Sequence, residues 1–181
     1  MIKTLRKTKI PGVYELINNQ FNDQRGSFVK KFHENDFEEN GLQSDFKEQY
    51  FSVSKKGVFR GFHFQTPPED HVKLVYCVQG EVLDIVVDLR KSSPTFGLYV
   101  TFDLSAEEGN SIYIPKGCAH GFFVKSEQAI LVYNVTTVYS PIHDTGIHWS
   151  SVKVPELNSE MIISERDNHF DSLENYKSPF N

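Results

Sequence analysis

Short runs in which apolar and polar residues alternate recur through the middle of the chain, between Phe46 and Val138. Gly, Pro, Asn and Asp separate these runs, and alternation puts every second side chain on the same face of a strand. Regular spacing of short strands and turns is typical of an all-β sandwich or barrel. The predicted strands are residues 49–54, 58–65, 73–79, 82–88, 97–104, 111–114, 121–124 and 129–136.

The flanking segments carry different signals. A Pro11-Gly12 pair predicts a turn in the first of them, and an acidic stretch that ends at Gly41 favours a helix. The predicted elements are an extended segment over 1–17, a strand over 27–32, a helix over 35–40 and a short helix near 164–169.

The composition is that of a globular protein. With 181 residues, 13% aromatic and 24% charged, the chain can bury a sizeable core, so residues 1–181 are predicted to form a single domain. A net charge of −5 offers no basic surface for nucleic acid. No apolar run approaches the length of a membrane span or a signal peptide, so no membrane is expected as a partner. For lack of a basic surface, no nucleic-acid partner is expected either.

The two cysteines, Cys77 and Cys118, lie in apolar or glycine-rich surroundings and are not spaced as metal ligands. Buried free thiols are typical of proteins from reducing compartments. The sequence therefore predicts a cytoplasmic protein.

Residues 58–65 place a single histidine, His63, among aromatic residues. A histidine in such surroundings can be a base with a tunable pKa, or a hydrogen-bonded core residue. Arg60 falls on the opposite parity from His63, so a regular strand would separate their side chains unless a bulge intervenes.

A second histidine, His120, ends a more specific pattern. Residues 109–120 read G-x5-P-x-G-x2-H, which resembles the second motif of the cupins. That resemblance implies a double-stranded β-helix, or jelly roll, with an interior ligand pocket. Many cupins bind a metal through a first motif with two histidines as H-x-H. Here Gln65 stands where the second histidine would be, so no metal site is expected.

The order of motifs along the whole chain resembles the dTDP-4-dehydrorhamnose 3,5-epimerase family of nucleotide-sugar epimerases, from about Ile10 to Asp167. The segments that carry the resemblance are 25–26, 60–65, 73–75, 79–82, 87–90, 93–97, 114–117, 119–122, 133, 139–141, 146–147 and 149.

The chemistry of this family explains its residues. A ketone at C4 of a sugar acidifies the hydrogens on C3 and C5. Epimerisation removes one of them as a proton, forms an enolate and returns a proton to the opposite face. The reaction needs a base, an acid on the other side and a positive group near the oxygen, and it requires no cofactor.

The resemblance implies four catalytic residues. His63 would be the base, and Asp167 the carboxylate that orients and charges it, with Asp171 as the alternative. Lys73 would stabilise the enolate oxygen, and Tyr133 would be the acid on the opposite face. Taken alone, without the resemblance, Tyr133 would be interpreted as a core tyrosine and Lys73 as a lysine at a strand edge.

Further residues are implied in substrate binding. Arg25 and Arg60 would bind the diphosphate, for which the guanidinium fork is suited. The family is usually dimeric through exchanged N-terminal strands, so a homodimer is expected in which Arg25 and Phe28 reach the partner's pocket. The residues expected to line the same pocket are Gln49, His120 and Tyr139.

Several positions depart from the family pattern and leave the substrate open. Lys30 stands at an acidic position, and Tyr50-Phe51 follows Gln49 in place of Asp-Asn. The nucleotide of the 4-keto sugar is therefore left open, with GDP and CDP as alternatives to dTDP. The sugar is a hexose or a heptose, and the inverted centre is C3, C5 or both. A 3,4-ketoisomerase and a non-catalytic sugar-binding cupin are the alternative functions.

Overall fold

The computed structural model describes residues 2–181 of the chain; Met1, the first residue of the predicted extended segment, lies outside the described residues. These residues form β-strands joined by short turns, with little helix. The strands are β1 Ile2–Lys7, β2 Tyr14–Asn18, β3 Gln20–Asp23, β4 Gly26–Val29, β5 Glu48–Lys55, β6 Phe59–Gln65, β7 Lys73–Gln79, β8 Glu81–Asp88, β9 Tyr99–Ser105, β10 Asn110–Ile114, β11 Cys118–Val124, β12 Gln128–Val135 and β13 Asp144–Gly146. The helices are α1 Glu34–Glu39, α2 Glu165–Asn168 and a 3-10 turn at Trp149–Ser151.

Two antiparallel sheets pack face to face. One has the strand order β1-β2-β10-β7-β12-β5 and the other β13-β6-β11-β8-β9. The core between them contains Val75, Ile112 and Leu131 from the first sheet and Val86 and Phe122 from the second. This arrangement confirms the predicted all-β, cupin-like jelly roll.

Most predicted elements agree with the structure to within two or three residues, but the strand predicted over 27–32 ends at Val29. Beyond that point the backbone is held differently: the carbonyl oxygen of Lys30 accepts a hydrogen bond from Asn18 Nδ2 at 3.0 Å. The Phe32 ring packs edge-on against Phe37 of α1, with ring centroids 5.1 Å apart. Side-chain contacts therefore replace strand pairing here.

The C-terminal segment covers the outer face of the second sheet. A second apolar cluster there joins Phe59 of β6 to Val154 and Phe180 from the tail. The backbone of the tail also bonds β6, since Phe59 N–H donates to the carbonyl oxygen of Ile162 at 2.9 Å. This packing places α2 directly beside β6.

The predicted buried free thiols are confirmed, because Cys77 and Cys118 are buried and not joined in a disulfide. Of the helices formed by residues 2–181, none has both the length and the apolar character needed to cross a membrane.

Candidate active site

A cavity of about 260 Å³ is lined by residues of both sheets. From the first sheet come side chains of β5, β7 and β12, and from the second those of β6 and β13, with α2 at the rim. The lining residues are Glu48, Tyr50, His63, Phe64, Gln65, His71, Lys73, Val135, Tyr139, Asp144 and Arg166.

His63 is paired with Asp167 of α2. Its Nε2 lies 2.8 Å from Asp167 Oδ1, and Asp167 Oδ2 accepts the N–H of Gly61 at 3.2 Å. Burial opposes the charge on Asp167, but the hydrogen bonds from His63 and Gly61 outweigh burial and lower the pKa of the carboxyl. With Nε2–H directed at Asp167, Nδ1 is the ring nitrogen left to take a proton.

The structure decides between the two aspartates. Asp167 is buried beside His63, whereas Asp171 contacts His148 through its backbone carbonyl oxygen, at 2.8 Å. The Asp167 backbone is itself fixed, because its N–H donates to Ser164 Oγ at the start of α2.

Gly61 lets β6 lie unusually close to the neighbouring strand β11. Its φ is +138°, and a Cβ atom there would lie 2.5 Å from the Cα of Gly121 on the neighbouring strand. Only glycine fits so close to another backbone. The pairing of β6 with β11 also shifts register between His120 and Phe122, so β6 is irregular between Arg60 and His63.

Lys73 lies at the cavity wall and is buried. Its Nζ donates to the carbonyl oxygen of His63 at 3.2 Å. Burial lowers the pKa of Lys73 to about 8, although Asp144 and Asp84 favour the charged form. The ammonium is thus the main form at neutral pH, beside the histidine.

Tyr133 stands on β12, in the sheet opposite His63. Its hydroxyl is 3.1 Å from Ser52 Oγ, and burial raises its pKa. The Tyr133 ring stacks on Tyr50, with centroids 4.7 Å apart, and the two rings are nearly parallel at 15°. Tyr50, not Tyr133, forms the cavity wall at this point.

His120 lies behind the wall, near Tyr133. Its ring is edge-on to Tyr133 at 6.0 Å between centroids, and its Nε2 is 2.8 Å from Asp84 Oδ2. Both His120 and Asp84 are buried, and burial raises the pKa of the Asp84 carboxyl. His120 therefore supports the tyrosine side of the site and does not line the cavity itself.

Gln49 corrects one expectation, because it does not line the cavity. Neighbouring side chains on a strand point to opposite faces, and on β5 it is Glu48 and Tyr50 that face inward. Gln49 Nε2 instead donates to Asn134 Oδ1 at 2.6 Å. The Glu48 carboxylate accepts the N–H of Tyr139 at 2.7 Å, and so braces another lining residue. No signal in the sequence indicated this, because the apolar Phe51 and Val53 share the parity of Gln49 and yet are 67% and 45% exposed.

Two more lining residues, His71 and Arg166, were not anticipated. Burial, aided by the cations of Lys73 and Lys116, lowers the pKa of His71 to about 3, so the ring is neutral. Arg166 Nη2 donates to Asp144 Oδ2 at 2.7 Å at the rim. His71 precedes the Lys73 strand and Arg166 precedes Asp167, but no pattern in the sequence distinguishes either from an ordinary surface residue.

The other expected binding residues lie outside this cavity. Arg60 is exposed, and its Nε donates to Ser54 Oγ at 2.9 Å. Arg25 lies at the tip of the β3–β4 hairpin, where its Nε bonds the Asp23 carboxylate at 3.0 Å. Phe28, on the same hairpin, is 62% exposed. Lys30, just after it, is exposed as well.

Within residues 2–181, no three or more His, Cys, Asp or Glu side chains come together in a group that could hold a metal ion.

Comparison with known proteins gives one consistent result. The family model described as dTDP-4-dehydrorhamnose 3,5-epimerase matches residues 7–175. The dTDP-4-dehydrorhamnose 3,5-epimerase of Shigella flexneri is 43% identical over 164 residues, which cover 89% of this chain and 91% of that protein. Its namesake from Methanothermobacter thermautotrophicus is 38% identical over 172 residues, 92% of each chain.

A solved structure is similar over nearly the whole chain. It is the dTDP-6-deoxy-D-glucose-3,5-epimerase of Legionella pneumophila in complex with dTDP-4-keto-L-rhamnose. The TM-score is 0.90 at 35% sequence identity, and the alignment covers 96% of this chain and 94% of that one.

Proposed function

The chain belongs to the dTDP-4-dehydrorhamnose 3,5-epimerase family, and from this membership we propose that its substrate is a dTDP-linked 4-keto-6-deoxyhexose, inverted at both C3 and C5. The protein is an isomerase that epimerises a nucleotide-linked keto sugar. The choice of dTDP is supported by the ligand of the Legionella relative, dTDP-4-keto-L-rhamnose. Among the nucleotides that the altered residues left open, dTDP therefore takes precedence over GDP and CDP.

The opposition of His63 and Tyr133 across the two sheets carries the proposal. Inversion requires that the proton leave from one face of the sugar and return from the other. His63 stands on β6 of one sheet, and Tyr133 on β12 of the other. A sugar ring held between the sheets would present one face to the base and the other to the sheet that carries Tyr133.

The deprotonation half of the reaction belongs to His63, Asp167 and Lys73. The Nδ1 of His63 takes the proton, the C–H electrons form the C=C bond of the enolate, and the carbonyl π electrons move to oxygen. The Asp167 carboxylate, 2.8 Å from Nε2, stabilises the imidazolium. The Lys73 ammonium stabilises the oxyanion in a buried site, where such charge pairing is strong.

The reprotonation half belongs to the tyrosine side. Burial raises the pKa of Tyr133, so the phenol keeps its proton at neutral pH. Ser52 holds its hydroxyl at 3.1 Å. Delivery of that proton to the enolate carbon from the face opposite His63 completes the inversion.

Solvent deuterium uptake followed by NMR tests the reaction. After treatment with a chelator, the enzyme is incubated in D₂O with dTDP-, GDP- and CDP-linked 4-keto sugars. We expect deuterium at C3 and at C5 of the dTDP sugar. Incorporation only with a GDP or CDP sugar would overturn the nucleotide, and incorporation with none of them would overturn the epimerase reaction.

Two matched variants assign the base. His63→Asn should abolish incorporation at both carbons, since the other imidazole that lines the cavity among residues 2–181, His71, has a pKa of about 3 and is too weak a base to replace it. His169→Asn is the control, because within residues 2–181 that exposed ring bonds only the carbonyl oxygen of Glu165. Normal exchange by the His63 variant would contradict this role.

We further propose a homodimer in which the β3–β4 hairpin reaches a second copy. Within residues 2–181 the two strands form a sheet of their own, and Phe21 and Phe28 are 61% and 62% exposed. Such paired exposed aromatics favour a protein contact. Arg25 and Lys30 would then approach the diphosphate in the partner's cavity. Light scattering should find a dimer that Phe28→Asp dissociates, and a monomeric wild-type chain would refute it.

Two remaining features are proposed on the same basis. Residues 1–181 would act as one catalytic domain, supported by the family match over 7–175. The buried free thiols of Cys77 and Cys118 favour the reducing cytoplasm.

A further inference from the structure

Tyr50 is the phenol that the cavity exposes on the side opposite His63. It lines the cavity together with His63 and Lys73, and it is 41% exposed, whereas Tyr133 behind it is only 6% exposed. Tyr50 and Tyr133 are directly opposed in the pairing of β5 with β12, so both side chains lie on the inner face of the same sheet. A substrate in the cavity therefore meets Tyr50 on this side.

The hydroxyl of Tyr50 is uncommitted. It makes no hydrogen bond to any of residues 2–181, in contrast to that of Tyr133, which is 3.1 Å from Ser52 Oγ. Burial together with the carboxylates of Glu48 and Asp144 raises the pKa of Tyr50 to about 12. Tyr50 thus holds its proton at neutral pH, which is the form that a proton donor needs.

Stacking fixes the ring of Tyr50. The two phenol rings are nearly parallel, with centroids 4.7 Å apart, so Tyr50 is held at the cavity wall with Tyr133 stacked directly behind it. A double epimerisation must return a proton to two carbons, C3 and C5, on either side of the keto group. Each carbon needs a proton donor on the face opposite the base, and the two stacked phenols could supply one donor to each.

We propose that Tyr50 is a second catalytic acid, which protonates one of the two enolate carbons while Tyr133 protonates the other. This deepens the proposed epimerase function and rests on it. The Tyr50 O–H bond breaks, its proton forms the new C–H bond, and the enolate electrons return to the carbonyl. The phenolate then regains a proton from water, to which Tyr50 is accessible. The proton taken by His63 leaves to solvent in the same way.

The test measures exchange and inversion separately at each carbon. Tyr50→Phe removes the hydroxyl but keeps the stacked ring, and the change should be tolerated because this oxygen bonds no described residue. At one carbon we expect inversion to slow by about 100-fold or more, the usual contribution of a general acid. Deuterium should still enter that carbon from the His63 face, and the other carbon should invert as in the wild type.

Tyr133→Phe is the companion variant, and it should show the complementary pattern, with inversion lost at the other carbon. Tyr50→Leu, which also removes the stacked ring, separates packing from acid catalysis: the inversion lost in the Phe variant must be lost here too. The dissociation constant for dTDP should be unchanged in Tyr50→Phe.

Several outcomes would overturn the inference. Inversion within two-fold of wild type at both carbons in Tyr50→Phe would remove Tyr50 from the reaction. Loss of deuterium exchange together with inversion would place it in binding or deprotonation instead. Failure of the proposed function would give a different result. In that case the wild-type enzyme itself would show no deuterium exchange at either carbon.

Discussion

Asp167 Oδ1 lies 2.8 Å from His63 Nε2, although the two residues are 104 positions apart in the sequence. The tail brings them together by packing on β6 and starting α2 at that strand. Asp167 also accepts the Gly61 N–H, so the carboxylate is held by the strand that carries its partner. The proposed base is therefore oriented by a segment that contributes no strand to either main sheet.

Replacement of this carboxylate should disable the base without unfolding the protein. Asp167→Asn keeps an oxygen for the Gly61 N–H but removes the charge that stabilises the imidazolium. We expect kcat to fall by about 100-fold or more, with the thermal midpoint nearly unchanged. Asp171→Asn is the matched control, since Asp171 contributes a backbone carbonyl oxygen. Equal effects of the two variants on kcat would argue against the pairing.

The inward parity of β5 predicts different effects for two adjacent residues. Glu48 lines the cavity and holds the backbone of Tyr139, whereas Gln49 bonds Asn134 away from it. Glu48→Ala should raise KM several-fold or lower kcat/KM correspondingly. Gln49→Ala should leave both constants close to wild type. Steady-state kinetics of the two variants decides the matter, and a larger loss in the Gln49 variant would reverse the assignment of faces.

The lowered pKa of Lys73 predicts that activity falls at alkaline pH. Its pKa is lowered to about 8, so the ammonium that is proposed to stabilise the enolate loses its proton above that pH. Activity, measured as kcat/KM, should fall as pH rises through about 8 in the free enzyme. A wild-type profile that stays flat to pH 10 would contradict the role of the ammonium.

The same group makes stability depend on pH. The pKa of Lys73 falls from 10.5 in the unfolded chain to about 8 in the folded protein, so between these values the unfolded chain binds more protons. Its burial therefore destabilises the fold fully below about pH 8, and this penalty lessens as pH rises toward 10.5. Urea unfolding should show Lys73→Met gaining stability over wild type at about pH 7 and gaining less at about pH 9.5. If the difference in the free energy of unfolding between variant and wild type were the same at both pH values, Lys73 would not carry a buried charge.

The close packing around Gly61 predicts that no larger residue is tolerated at this position of β6. A Cβ atom there would lie 2.5 Å from the Cα of Gly121, so Gly61→Ala should cost about 3 kcal/mol or more in the free energy of unfolding. Gly57→Ala is the control, because Gly57 also has a positive φ but its Cβ would meet no atom within 4 Å. That change should cost only about 1 kcal/mol. Equal losses in urea unfolding would show that the clash relaxes.

The strands were predictable because alternation is local. The direction of side chains on a strand repeats every two residues, so strands such as 73–79 could be predicted from the sequence. The shorter β3 and β13 were not predicted, since segments of three or four residues carry too little pattern and depend on a partner strand. The strand predicted over 27–32 ended early because the Asn18 side chain, distant in sequence, takes the Lys30 carbonyl oxygen.

The sequence by itself determined the jelly roll, the family, and the proposed catalytic residues His63, Lys73 and Tyr133. Only the tertiary structure decided which aspartate meets His63, which face of β5 turns inward, and that Tyr50 covers Tyr133 at the cavity wall. The physical reason is that periodicity and motif order are properties of neighbouring residues. Contacts across the two sheets and with the tail arise only when distant segments pack together, and one residue of shift in β5 would exchange Tyr50 for Gln49 at the site.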